Sequence, residues 1–109
     1  MEAPVATLKI LGSHPGGELF EITVEIGRPV KVSGTPEEWA CPCEVRPFEG
    51  GRFKPHSDCS FQALTLALTS AIRCLEYFRE DGGQLFYAPG IPFEFEPFLV
   101  ALRSVNSDA

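Results

Sequence analysis

The sequence predicts an α+β fold in which an antiparallel meander of four to five strands packs against one long α-helix, in the order β-β-β-β-α-β. Two periodicities support this prediction. From Phe20 to Ile26, apolar and polar residues alternate strictly, which is typical of an antiparallel strand buried on one face. Between residues 59 and 80, apolar residues recur every three or four positions, as in an amphipathic helix. Because the helix follows a run of strands, the α+β class is favoured.

The chain has 109 residues, a length that predicts one domain over residues 1–103, followed by a disordered tail at 104–109. Nine Lys and Arg against fifteen Asp and Glu give a formal charge of −6, which disfavours nucleic acid as a partner. No apolar run approaches the roughly 20 residues that span a bilayer. The N-terminus also lacks the pattern of a secretory signal. We therefore predict a cytoplasmic protein with no membrane contact.

The predicted strands are separated by segments rich in glycine, proline and small polar residues, which favour turns. The first two strands form a hairpin around the turn from Ser13 to Gly17, and Gly50-Gly51 turns the third strand into the fourth. Pro29 lacks the amide hydrogen that a central strand donates, so an edge, a bend or a bulge is expected there. The predicted strands cover residues 5–11, 20–26, 39–47, 52–55 and 84–88.

The predicted helix covers residues 59–80 and is capped by Asp58 or Ser57, whose side chains accept hydrogen bonds from the first free amides. Gly82-Gly83 ends it, since glycine tolerates the left-handed conformation of a C-cap. Residues 98–103 fit a second, short helix. The apolar stripe of the main helix consists of Leu64, Ala67, Leu68, Ala71, Ile72, Leu75 and Phe78. We expect it to pack on Phe20, Ile22, Val24, Ile26, Cys41, Cys43 and Val45.

Three cysteines and a histidine form a candidate metal site with the pattern C-x-C followed by H-x-x-C, namely Cys41, Cys43, His56 and Cys59. Three thiolates and an imidazole suit tetrahedral zinc. On an extended strand, however, the two sulfurs of a C-x-C lie about 6.5–7 Å apart, too far for one ion unless Pro42 bends the chain. The alternative is that Cys41 and Cys43 are small apolar residues on the buried face of the sheet. Cys74 is interpreted as a packing residue.

Other signatures of chemistry are weaker. Cys59 and His56 are a conceivable nucleophile and base, because a helix N-terminus lowers the pKa of a thiol, but the spacing supplies no third orienting group. The glycine pairs lack the spacing of phosphate-binding loops. The predicted hairpin also carries Arg46, Arg52 and Lys54 among phenylalanines, and these either contact RNA or an acidic partner, or blunt an exposed edge.

Two further sets of residues are candidate partner-binding surfaces. One is an acidic row of Glu21 and Glu25, supplemented by Glu37, Glu38, Glu94 and Glu96. The other is the aromatic cluster of Phe93, Phe95 and Phe98. This cluster either wraps over the face of the sheet opposite the helix or stays partly exposed as a dimer or partner surface.

The segment from Trp39 to Leu75 resembles a family of small bacterial proteins of unknown function. The shared features are a Trp-x-Cys strand at 39–41, the Gly50-Gly51 turn, and Asp58 followed by Gln62-Ala63-Leu64 at the start of the helix. The resemblance implies hairpins followed by a helix and supplies no catalytic residues. In size and charge such proteins are similar to immunity-type and antitoxin-like partners.

These observations predict a non-enzymatic protein-binding module, immunity-like or regulatory, that needs no cofactor and binds a protein partner or a second copy of itself. The alternative is a small zinc or thiol site built on Cys41, Cys43, His56 and Cys59.

Overall fold

The computed structural model describes residues 3–34 and 37–98, which contain nine β-strands, one long α-helix and a helical stretch at 96–98. Six of the strands form an antiparallel sheet in the order β6-β5-β2-β1-β8-β9, and three form a small sheet in the order β3-β4-β7. The α+β class with one main helix is therefore confirmed. The elements are β1 Ala6–Ser13, β2 Phe20–Ile26, β3 Val30–Lys31, β4 Trp39–Ala40, β5 Cys43–Arg46, β6 Arg52–Phe53, β7 His56–Ser57, α1 Ser60–Glu80, β8 Gln84–Ala88 and β9 Ile91–Pro92.

The number and order of strands differ from the predicted β-β-β-β-α-β arrangement, because seven strands precede α1 and two follow it. The predicted strand at 39–47 is divided between the two sheets. Trp39–Ala40 pairs with β3 and β7, whereas Cys43–Arg46 pairs with β2 and β6. Pro42 lies at the crossing point, where its missing amide hydrogen interrupts the ladder and its carbonyl accepts a hydrogen bond from Gly27.

The center of the large sheet is β2, whose alternation was predicted with its bounds. It pairs antiparallel with β1, in a register that places Ile10 opposite Ile22, and with β5, in a register that places Val24 opposite Val45. These apolar side chains lie on the face that α1 covers. They form one core with Cys41 and Cys43, as expected.

The buried positions of the helix are three alanines, Ala63, Ala67 and Ala71, and one larger residue, Leu75. The predicted stripe is therefore rotated. Leu68, which was expected in the core, is 41% exposed, and Leu64 and Ile72 are only partly buried. Alanine allows the helix axis to approach the sheet closely, so the bulkier aliphatic side chains lie at the side of the helix.

The start of the helix also differs from the prediction. Cys59 is the N-cap, and its sulfur accepts a hydrogen bond from the Gln62 amide at 3.4 Å. Ser57 instead belongs to β7, where its hydroxyl bonds to the Gln62 side chain. The predicted helix end is confirmed: the amides of Gly82 and Gly83 donate to the carbonyls of Arg79 and Phe78, which is the Schellman pattern.

The phenylalanines after β9 join the same core rather than the opposite face of the sheet. Phe93 and Phe95 are 7% and 5% exposed, and Phe98 stacks on Phe93 with ring centers 5.2 Å apart. The Phe95 ring lies 4.4 Å from the guanidinium carbon of Arg79 on α1. Residues 96–98 are helical, so the start of the second helix predicted at 98–103 is seen two residues earlier, whereas residues 99–103 and the predicted tail at 104–109 lie outside the described residues. Within 3–34 and 37–98, no helix is long and apolar enough to cross a membrane.

Candidate functional site

The paired cysteines are core residues. Both Cys41 and Cys43 are fully buried, and their thiols donate to the carbonyls of Gly27 and Ala67 at 3.3 and 3.5 Å. Burial raises the pKa of Cys41, and it raises the pKa of Cys43 to about 11. Burial likewise raises the pKa of Cys74. Burial therefore favours the protonated form of these thiols, which is a poor nucleophile.

The candidate zinc ligands are not brought together. In the described part of the chain, no group of three or more His, Cys, Asp or Glu side chains has an arrangement that could hold a metal ion. Cys41 and Cys43 lie in the core, whereas Cys59 is exposed at the start of α1. His56 is paired with Glu38, whose carboxylate oxygen lies 2.6 Å from Nδ1.

Catalysis by a cysteine also uses a third group that orients the histidine base. The sequence did not reveal this group, but the structure places Glu38 against His56. Glu38 is not close in sequence, and β4 and β7 bring the two residues together. However, the Cys59 sulfur is bonded to the Gln62 amide. No hydrogen bond among the described residues joins it to His56, so the nucleophile–base contact that such catalysis requires is not formed.

The face of the large sheet opposite α1 carries a row of alternating charges. The Arg46 guanidinium lies 2.6 Å from Glu25 and 2.8 Å from Glu44, and Arg52 lies 2.9 Å from the second oxygen of Glu44. Hydrogen bonds from Arg52 and Arg46 lower the pKa of Glu44, and those to Glu25 and Glu44 raise the pKa of Arg46. The predicted cationic hairpin is thus largely neutralized at its two arginines, although Lys54 remains exposed.

The structure divides the predicted acidic row. Glu21 and Glu25 lie on the same face of β2, since they occupy alternate positions. Glu21 is exposed, whereas Glu25 is only partly exposed and paired with Arg46. Glu38 belongs to the small sheet instead, through its contact with His56. A partner-binding role for Glu21 and Glu25 stays a prediction.

The aromatic candidates offer a partner little surface. Phe93 and Phe95 are core residues, and the Phe95 ring packs beside Arg79 in the last turn of α1. Of the three phenylalanines, only Phe98, which is half-buried, exposes appreciable surface to a partner. Their clustering in the sequence was visible, but the sequence alone did not show which side of the sheet they cover.

One side of α1 carries exposed apolar residues, and we call it the α1 flank and define it by Phe61, Leu64, Leu68 and Ile72. The spacings of three and four residues place these side chains in one stripe along the helix. Phe61 is 79% exposed, the highest value among the large exposed apolar residues, and Leu68 is 41% exposed. Leu64 and Ile72 are half-buried against the core. The flank is therefore apolar, and its exposed residues alternate along the helix with half-buried residues that anchor it to the core.

The α1 flank was not identified by sequence reasoning, although a signal was present. Ala63, Ala67 and Ala71 form a complete stripe by themselves, and a stripe of alanines beside a stripe of bulky residues leaves open which of the two faces the sheet. Phe61 lies outside the predicted core stripe and was the strongest indication of a second apolar side.

Comparison with models of protein families, with curated proteins and with solved structures finds no match for this chain. The resemblance of the Trp39–Leu75 segment to a bacterial family therefore stays a prediction.

Proposed function

We propose that this chain is a protein-binding module, immunity-like or regulatory in kind, whose α1 flank binds an apolar patch on a positively charged protein. The observation that carries the proposal is the exposure of Phe61, 79% of whose surface is open to solvent at the first turn of the helix.

Apolar surface that is exposed to water carries a cost in free energy. Covering a side chain the size of Phe61 is worth about 1.5–3 kcal/mol, so an exposed ring on the same side of the helix as Leu68 is a strong source of binding free energy. Contiguous exposed apolar surface is typical of contact sites in soluble proteins. Because Leu64 and Ile72 pack against the core, the stripe is held in place before a partner arrives, and little conformational freedom is lost on binding.

The net charge of the chain favours a positively charged partner. Fifteen acidic and nine basic residues give a formal charge of −6, and the arginines at 46 and 52 are already paired with glutamates. A negative field of this kind accelerates encounters with a basic protein and disfavours acidic ones.

The experiment is site-specific photo-crosslinking in cells of the source organism. A benzophenone amino acid replaces Phe61 in one variant and Tyr77 in the other. Tyr77 is also exposed, at 61%, but sixteen residues of helix place it about 160° around the axis from Phe61, so it is a matched control. We expect a specific protein adduct at position 61 and none at position 77.

The captured protein is then purified and its binding measured with the unmodified chain and with Leu68→Asp. The proposal requires direct binding that Leu68→Asp weakens at least tenfold. Equal crosslinking at both positions, or a purified partner that binds Leu68→Asp as tightly as the native chain, would contradict it.

A further inference from the structure

The edge of β1 that faces away from β2 is paired along only part of the strand. On its inner side, β1 pairs with β2 over Ala6–Gly12, whereas β8 pairs with it only at Leu11, Gly12 and Ser13. The pairing of β1 with β8 ends at Leu11 and Phe86, and β9 lies on the far side of β8. Among the described residues, no strand therefore lies against the outer side of residues 6–10. Their outward amide and carbonyl groups are open to a further strand.

The other two edges of the large sheet are protected. Strand β6 has only two residues and is followed by Lys54-Pro55, and β9 has two residues, of which one is Pro92. Short edge strands, lysine and proline all discourage further pairing. The stretch 6–10 is longer and contains no proline. Pro4 lies just before it and limits it on that side.

The length of the unpaired stretch 6–10 determines the register in which two copies would pair. An antiparallel pairing of two identical stretches that uses all of residues 6–10 must place Leu8 on the two-fold axis. Ala6 then lies opposite Ile10 of the second copy, so that apolar residues meet on the face that α1 covers. On the opposite face, Lys9 lies opposite Thr7 of the second copy, and no two like charges lie directly opposite each other.

We infer that two copies of this chain associate through antiparallel pairing of residues 6–10, which joins their six-stranded sheets into one. The contact spans about 17 Å of strand. It uses the backbone of β1 and none of the side chains of the α1 flank, so this inference does not rest on the proposed function.

Charge reversal at the exposed Thr7 tests the pairing. Thr7→Lys places a lysine opposite Lys9 of the second copy twice per dimer, and Thr7→Glu places a glutamate there. Two such pairs correspond to a change of roughly two- to thirtyfold in the dimer dissociation constant. We expect sedimentation equilibrium to show an association to twice the 11.9 kDa chain mass, weakened by Thr7→Lys and strengthened by Thr7→Glu.

Effects on the fold are distinguishable from effects on the dimer. Within one copy, Thr7 lies opposite Glu25, so Thr7→Lys favours the monomer fold and Thr7→Glu disfavours it, the reverse of their effects on the dimer. The double variant Thr7→Lys/Lys9→Glu should restore association, and Phe61→Asp should leave it unchanged. A chain that stays monomeric at millimolar concentration, or a dimer indifferent to the charges at positions 7 and 9, would overturn the inference.

Discussion

The buried thiol of Cys43 makes the free energy of unfolding depend on pH. Burial, with smaller contributions from Cys41 and Cys74, raises its pKa from 9.0 to about 11. Since the folded state holds the proton more tightly than the unfolded state, the stabilization is complete below pH 9. It is lost as the pH rises toward 11, because the unfolded chain then releases the proton first.

We therefore predict that the free energy of unfolding falls between pH 9 and pH 11 and that Cys43→Ala makes this fall smaller. Denaturant unfolding at a series of pH values provides the measurement. Cys59→Ala is the control, because Cys59 is exposed and its removal should leave the slope unchanged. Identical slopes for the native chain and Cys43→Ala would show that the thiol is ionized in both states alike.

At the level of elements, the start of α1 is weakly capped. Sulfur is a poor hydrogen-bond acceptor, and the Cys59 cap is formed at 3.4 Å with no acidic residue in the first turn of the helix. Aspartate at this position supplies a stronger acceptor and a negative charge next to the positive end of the helix dipole.

Cys59→Asp is expected to raise the free energy of unfolding by about 0.5–2 kcal/mol relative to Cys59→Ala. Thermal and denaturant unfolding of both variants at neutral pH measure the difference. If aspartate proves no better than alanine, the helix does not begin at residue 60.

The same elements show what the sequence can and cannot reveal. Strand β2 and the end of α1 follow from local patterns, namely strict alternation and a glycine pair, and both were predicted correctly. The two-residue strands β3 and β7 have no local signal, because they exist only through pairing with β4. The exposed side of α1 was equally hidden, since either of two adjacent apolar stripes satisfies the helical period.

At the scale of the whole molecule, the two faces of the sheet and the exposed side of α1 form three surfaces with different chemistry. One face is covered by α1 and the buried phenylalanines, the opposite face carries the Glu25–Arg46–Glu44–Arg52 row, and the α1 flank remains apolar and exposed. Because the charged row is internally paired, the net charge of −6 acts as a long-range field rather than through one acidic patch.

We accordingly expect the association rate with the partner to fall as salt is added, while the dissociation rate changes little, since the contact itself is apolar. Stopped-flow or surface-based kinetics over a range of ionic strength measure both rates. A dissociation rate that rises steeply with salt would indicate an interface of ion pairs instead of the α1 flank.

The most direct test of the central claim is the partner affinity of Phe61→Asp compared with Tyr77→Asp by calorimetry. Aspartate in the first turn is favourable for the helix, so Phe61→Asp should unfold no more readily than the native chain. We predict at least a tenfold loss of affinity for Phe61→Asp and little change for Tyr77→Asp. Full affinity in Phe61→Asp, or an equal loss in both variants, would contradict binding through the α1 flank.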